Sequence, residues 1–226
     1  MIPKIIWQTH ELPYEELPDF QKSVINTWKN LNPSWEHRYV DSIARAEYVK
    51  NFDKKLYAAY LTVPKMSQAD IWRYVVVYQN GGVYADMDSV CTVPLDEIIT
   101  KSYDNQDLMC TEIKVIDDLG SRQVVNNSNF AAPKDSRILL LAIEDIKFGY
   151  RMVLEGYINS HMPPQKFLPW DAYSNAVIKN KKNISFDFDC AMHSKEFKES
   201  FHDYEVRFNS KTYNYLNLAK LQNWYI

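Results

Sequence analysis

"NGGVYADMDSV", residues 80–90, is the stretch whose reading decides the fold. The chain has only five glycines in 226 residues, and Gly81 and Gly82 stand side by side. Adjacent glycines after a long apolar segment stop a helix, because they accept left-handed backbone angles without steric penalty. Strand formers follow at once, Val83, Tyr84 and Ala85, and then two aspartates one residue apart. The stretch predicts a helix, a tight reversal and a strand over residues 83–87. In a strand, residues i and i+2 share a face, so Asp86 and Asp88 are expected to present both carboxylates to one place. Two such carboxylates repel unless a cation lies between them or one keeps its proton. Oxygen donors with open coordination positions suit Mn2+ or Mg2+ and leave room for phosphate oxygens. The expectation is a metal–diphosphate site at the carboxyl end of a sheet strand, where α/β proteins place their ligands.

Upstream, Pro64 opens a helix that runs to about residue 80. Asp70 and Arg73 lie on it three apart, hence on one face, among Met66, Ala69, Trp72 and the run Val75-Val76-Val77. A charged pair amid so many apolar residues reads either as a buried structural pair or as one wall of a polar pocket. Farther out, strands are predicted over residues 4–9 and 35–40, and helices over 17–31, 41–49 and 54–61. After the aspartates come a helical turn or two at 94–99 and strands at 108–113 and 129–132, with the polar stretch 117–127 as a loop. Helices at 136–148 and 170–181, strands at 184–188 and 205–208, and a helix at 213–221 complete the reading. Strands and helices alternate, most clearly in the first half. That pattern predicts an α/β fold with a mostly parallel central sheet flanked by helices, in a single domain over residues 1–226.

Composition narrows the class. Hydrophobic residues make up 46% and charged residues 24%, which is globular rather than disordered. The formal net charge of −3 argues against a general nucleic-acid binder. The 16 Tyr, 10 Phe and 6 Trp supply a core and also suit ring-stacking pockets for sugars and bases. Three widely spaced cysteines suggest neither a disulfide framework nor a zinc ribbon. No apolar run approaches the ~20 residues of a membrane span, and the first residues do not read as a signal peptide. A cytoplasmic protein is the expectation, although the chain could be a piece of a longer one.

Taken together, "SQADIWRYVVVYQNGGVYADMDSV", residues 67–90, resembles the core of the glycosyltransferase family named for its DXD sugar-binding region, family 32. That family includes Golgi mannosyltransferases and capsular polysaccharide enzymes and is related to the glucosyltransferase domains of large bacterial toxins. Its pattern is small-x-Asp-x-x-Arg-Tyr, an apolar helix, then Gly-Gly-x-Tyr-x-Asp-x-Asp, and every position is filled here. "IPKIIWQTH" is similar to the family's opening strand, and "SVINTWKNLNPSWEHRYVD" to its next helix and strand. "NNSNFAAPKDSRILLLAIEDI" is a weaker match to a later strand and helix, and beyond residue 148 the likeness is loose.

The resemblance implies a GT-A fold with a Rossmann-like nucleotide-binding sheet. It implies transfer of a sugar from a UDP- or GDP-sugar to an acceptor hydroxyl on a glycan or protein-linked glycan, with retention of anomeric configuration. Asp86 and Asp88 would hold Mn2+ or Mg2+ against the donor diphosphate, with Asp88 acting in catalysis. Asp70 and Arg73 would bind the donor sugar and act in catalysis, and Tyr84 would line the same pocket. Thr9 and His10 would meet the base, His10 standing where relatives usually have Trp. Asn127 and Asn129 could reach the sugar or serve a turn. A third metal ligand is sought among His193, His202 and Asn209, and Trp224 could close over the nucleotide or pack in the core. Two rivals stand beside this reading. "DMDSV" also fits the motif of haloacid-dehalogenase-type phosphatases, in which the first Asp is a nucleophile. That reading wants a second acidic pair downstream, and Asp117-Asp118 is the one available. A non-catalytic nucleotide-sugar-binding module is the other rival.

Overall fold

A computed structural model describes residues 1–102, 106–117, 120–154, 169–188 and 190–193. The chain begins with β1 (Ile5–Thr9), α1 (Asp19–Leu31), β2 (Glu36–Val40), α2 (Ser42–Phe52), α3 (Lys54–Tyr60), α4 (Lys65–Asn80) and β3 (Gly82–Ala85). It continues through β4 (Ser89–Cys91), α5 (Leu95–Ser102), β5 (Leu108–Asp117), β6 (Gly120–Ala132), α6 (Arg137–Leu154), α7 (Pro169–Lys179), β7 (Ile184–Ser185) and β8 (Ala191–His193). Six strands form one sheet in the order β2-β1-β3-β6-β5-β7, and β4 pairs with β8 in a small second sheet. β2, β1 and β3 run parallel, β6 lies antiparallel to both β3 and β5, and β7 is parallel to β5. Only β6 therefore runs against the common direction, which makes this the mostly parallel α/β sheet expected.

Side-chain alternation splits the core in two. Trp7, Tyr84 and Phe130 are register partners across β1, β3 and β6, and they pack on α4, α6 and α7. Ile6, Val83 and Ala131 are the neighbouring partners and face the opposite way, onto Val24 and Trp28 of α1 and Leu95 of α5. The aromatic layer includes Tyr74 stacked on Tyr173 at 5.1 Å and Tyr84 stacked on Phe130 at 5.7 Å. β-Branched residues are weak helix formers, yet Val75, Val76 and Val77 sit in α4 fully buried. Burial on every side of α4 outweighs that preference.

Several boundaries follow from local chemistry. Asp41 caps α2 by accepting from the Ala44 amide at 2.8 Å. Pro64 precedes α4, and the Gly81 amide closes it on the Val77 carbonyl at 2.7 Å. Other expectations are corrected. The strand after the glycines ends at Ala85, short of the aspartates. The expected loop over 117–127 belongs largely to a long hairpin, with β5 and β6 paired from Asp117↔Gly120 upward. Antiparallel pairing meets the backbone hydrogen-bonding need of that stretch, so polar composition did not prevent a strand. The expected elements at 205–208 and 213–221 and the acidic pair's Asp118 lie outside the described residues. Among the described residues no helix is long and apolar enough to cross a membrane.

Candidate active site

Thr9, Val40 and Ala85 end the three parallel strands on one side of the sheet. β6 passes the same end in the opposite sense, with Asn129 directly across from Ala85. The expected site residues gather there. Asp86 and Asp88 do not share a strand face. They lie in a turn closed by the Ser89 amide on the Asp86 carbonyl at 3.2 Å. Its backbone is tied down all round: the Asp86 amide donates to Ser128 at 2.8 Å, and the Trp28 indole donates to the Ser89 carbonyl at 2.7 Å. The strand-alternation argument is thus corrected: the strand ends at Ala85, before both aspartates. What brings the carboxylates together is the turn.

Arg73 is the hub. Its side chain is 5% exposed, and its Nη2 lies 3.2 Å from Asp70 Oδ1 and 3.1 Å from Asp86 Oδ1. Nη1 donates to the Asn127 carbonyl at 2.6 Å. The guanidinium also sits over the Tyr84 ring, 4.3 Å from its centroid, an attractive placement for a cation on an aromatic face. Burial disfavours its charge, but Asp86, Tyr84 and Asp70 outweigh burial and hold the arginine protonated more firmly than usual. The helix pair read from the sequence is therefore buried and reaches across to the aspartate turn.

Asp86 is strongly engaged, since Tyr84 Oη also donates to its Oδ1 at 2.5 Å. Asp88 differs. Burial and the neighbouring Asp86 push its carboxyl up to about 7, against the pull of Arg73 and a hydrogen bond from Ser89. Asp70 is raised by burial, against the pull of Arg73. Asn127 fixes it by donating from Nδ2 to Asp70 Oδ1 at 2.9 Å, and to Tyr74 Oη at 2.7 Å. Asn129 Nδ2 donates to Ser89 Oγ at 3.3 Å and to Ser128 Oγ at 3.1 Å, while its buried Oδ1 has no hydrogen-bond partner among the described residues.

The remaining candidates fall into three groups. Thr9 is buried and its hydroxyl is taken by the fold: it donates to the Val40 carbonyl at 2.6 Å and accepts from Arg45 at 3.1 Å. His10 is 6% exposed, and its Nδ1 accepts from the Leu12 amide at 3.2 Å. Burial lowers the His10 pKa, so its ring is neutral at physiological pH. The backbone of His193 lies in β8 directly across from Ser89, next to the aspartate turn. His202, Asn209 and Trp224 lie outside the described residues.

Three participants were not singled out from the sequence. Tyr74 is four residues from Asp70, the helical spacing that marks one face, and that spacing could have found it. Gln8, fully buried, reaches the Asp86 carbonyl; its signals were a polar amide beside Trp7 in the opening strand and its place in the stretch that resembles the family. Arg45 is buried on α2, ion-paired with Glu11 and hydrogen-bonded to Thr9. Nothing in the local pattern of α2 distinguishes it from a surface arginine.

Two carboxylates on one tight turn are oxygen donors of the kind that suits a hard divalent cation. Among the described residues no third His, Cys, Asp or Glu joins Asp86 and Asp88 as a metal-holding group.

Comparison with known proteins bears on the family likeness and on the fold. Residues 18–104 match the family model described as "Glycosyltransferase sugar-binding region containing DXD motif". The initiation-specific alpha-1,6-mannosyltransferase of Candida albicans is 35% identical over 109 residues, 44% of this chain and 28% of that protein. Inositol phosphoceramide mannosyltransferase 1 of Schizosaccharomyces pombe is 27% identical over 158 residues, 66% of this chain and 44% of that protein. The chain thus spans less than half the length of these curated relatives. Among solved structures, the PaToxG glycosyltransferase superposes with a TM-score of 0.59 at 12% identity, covering 79% of this chain and 69% of that one. The ligand-free glycosyltransferase domain from the YGT toxin gives 0.56 at 10% identity, covering 84% and 80%. These likenesses show the GT-A fold. Asp70, Arg73, Tyr84, Asp86 and Asp88 all fall inside residues 18–104, the stretch that is similar to the DXD-containing glycosyltransferase family.

Proposed function

We propose that the chain is a metal-dependent transferase that moves a hexose from a UDP- or GDP-sugar to an acceptor hydroxyl. The observation that supports this most is Arg73, one buried guanidinium binding both Asp70 of α4 and Asp86 of the turn. It joins a sugar-facing carboxylate to a diphosphate-facing one in a single rigid unit. Asp86 and Asp88 would hold Mn2+ or Mg2+, which would supply Lewis-acid stabilisation of the departing diphosphate. Asp70, kept in place by Arg73 and Asn127, would accept hydrogen bonds from donor-sugar hydroxyls and favour positive charge developing on the ring. Tyr84 holds Asp86.

The phosphatase alternative would use Asp86 as a nucleophile, and the product released separates the two readings. Incubation with a panel of UDP- and GDP-hexoses and Mn2+ tests the proposal. The expected product is nucleoside diphosphate. Inorganic phosphate would indicate the phosphatase, and no release at all would indicate a binding module.

Metal dependence has its own test. Mn2+ should tighten UDP or GDP binding to the wild type in calorimetry, and EDTA should abolish that gain. Asp88→Asn keeps the shape of the side chain but not its charge, so it should lose at least about tenfold of the metal-dependent affinity, ~1.4 kcal/mol. Equal affinity with Mn2+ and with EDTA in the wild type would refute the metal assignment.

His10 is proposed as the platform for the base. His10→Ala should weaken nucleotide binding by roughly 1 kcal/mol, the scale of one aromatic stacking contact. His10→Asn separates stacking from turn support, because its side-chain oxygen can still accept from the Leu12 amide. The same loss in both variants supports stacking, whereas recovery in Asn assigns His10 to the turn.

A further inference from the structure

Gln8 is fully buried on the α1 side of the sheet, an unusual place for a primary amide. Both of its ends are bonded. Nε2 donates to the Asp86 carbonyl at 3.3 Å, and Oε1 lies 2.8 Å from Nε2 of His37 on the adjoining strand β2. The orientation is dictated by chemistry, because a carbonyl only accepts and so requires the amide nitrogen. That leaves Oε1 facing His37, whose Nε2 must then carry the proton. Burial, with help from the Lys29 charge, lowers the His37 pKa to about 4, so the ring is a neutral, fixed donor at physiological pH. The Asp86 carbonyl receives a second bond from the Ser89 amide, the bond that closes the turn. A chain of hydrogen bonds thus runs from β2 through β1 to the back of the turn that bears Asp86 and Asp88.

We propose that Gln8, locked by His37, is a positioning residue that holds the Asp86–Ser89 turn in the form that presents its carboxylates to metal and diphosphate. The inference rests on the metal-dependent reading above. Gln8 touches neither ligand. It acts by fixing the backbone from which both carboxylates project, and a shift of that carbonyl would swing Asp88 relative to Asp86. A glutamine whose only role was to fill the core could be replaced by methionine, of similar length, without consequence for ligand binding.

The test uses the double variant Gln8→Met/His37→Phe, which removes donor and acceptor together and leaves no buried polar group stranded, a change that can be nearly neutral for stability. His37→Phe alone is the second variant; it lies on the edge strand and is only half-buried, so folding should tolerate it. Each is titrated calorimetrically with UDP and GDP, once with Mn2+ and once with EDTA, alongside thermal unfolding. The double variant should melt near the wild type and lose at least about tenfold of its Mn2+-dependent affinity. Its affinity in EDTA should be unchanged. His37→Phe should lose less, about threefold, because Gln8 keeps its donor but loses its lock. Wild-type-like Mn2+-dependent affinity in both variants would overturn the role of Gln8 alone, and if the double variant does not fold, His37→Phe decides. A wild type indifferent to Mn2+ would overturn the proposed function, and this inference with it.

Discussion

Arg73→Ala is expected to lose about 3–5 kcal/mol of folding stability and nearly all sugar transfer. The side chain is buried between Asp70 and Asp86, and removing one partner from such a group leaves the others as uncompensated buried charges. The Asn127 carbonyl loses its donor as well. Chemical denaturation would read the first effect, and nucleoside diphosphate release from a nucleotide sugar the second. Stability loss alone does not assign a role in turnover, so Arg73→Lys carries the distinction. An ammonium keeps the positive charge but not the planar fork that reaches Asp70, Asp86 and Asn127 at once. It should restore most of the stability, while turnover stays at least about tenfold below wild type, ~1.4 kcal/mol of transition-state stabilisation. Binding of UDP or GDP with Mn2+ should change little, because Asp88 is untouched. If Arg73→Lys turns over like wild type, or is as unstable as Arg73→Ala, then Arg73 is a structural residue and the sugar-pocket assignment fails at that position.

The likeness to the family, the α/β class and the reversal before the aspartates were legible because each rests on local chemistry. Paired glycines stop α4 through the Gly81–Val77 bond, and alternation along β1 and β3 sorts Trp7 and Tyr84 from Ile6 and Val83. Geometry set by distant partners was not legible. That Asp86 and Asp88 occupy a turn rather than a strand face depends on Ser128 of β6 and Trp28 of α1, 42 and 58 residues away from Asp86 by its number. Asn127 was read as a residue that reaches the sugar or supports a turn. Its amide instead braces Asp70 and Tyr74, because the β5–β6 hairpin carries it across α4. Periodicity says which face a side chain takes, and it is silent on which element covers that face. The same limit hid Arg45 and Gln8. A buried polar residue is identified by its partners, Glu11 and Thr9 for one and His37 and Asp86 for the other, and none of those pairings has a fixed sequence spacing.

Gly82→Ala is expected to be among the most damaging single-methyl additions in the chain. Gly82 has φ +106, a backbone conformation that side chains rarely adopt, and a Cβ there would lie 2.5 Å from the Ile5 carbonyl oxygen and 3.2 Å from the Ile5 Cβ. The first obstacle is backbone within β1, whose neighbour Ile6 is the register partner of Val83. It cannot retreat without opening the β1–β3 pairing. Rotating Gly82 to relieve φ instead would swing β3, and with it Tyr84 and the turn bearing Asp86. Neither route is cheap, so roughly 3–5 kcal/mol of destabilisation is expected, in the range of strained-backbone and overpacked substitutions. For a domain of this size that corresponds to a fall of roughly 10 °C in the melting temperature. Circular dichroism on heating reads that fall, and calorimetry with UDP or GDP and Mn2+ reads the turn. The two should move together, because the residue that forces the reversal after α4 is also the first residue of the strand that ends at the aspartates. A Gly82→Ala protein that melts within a degree or two of wild type would show that β1 yields easily, and the rigid coupling of α4 to the aspartate turn through β3 would have to be abandoned.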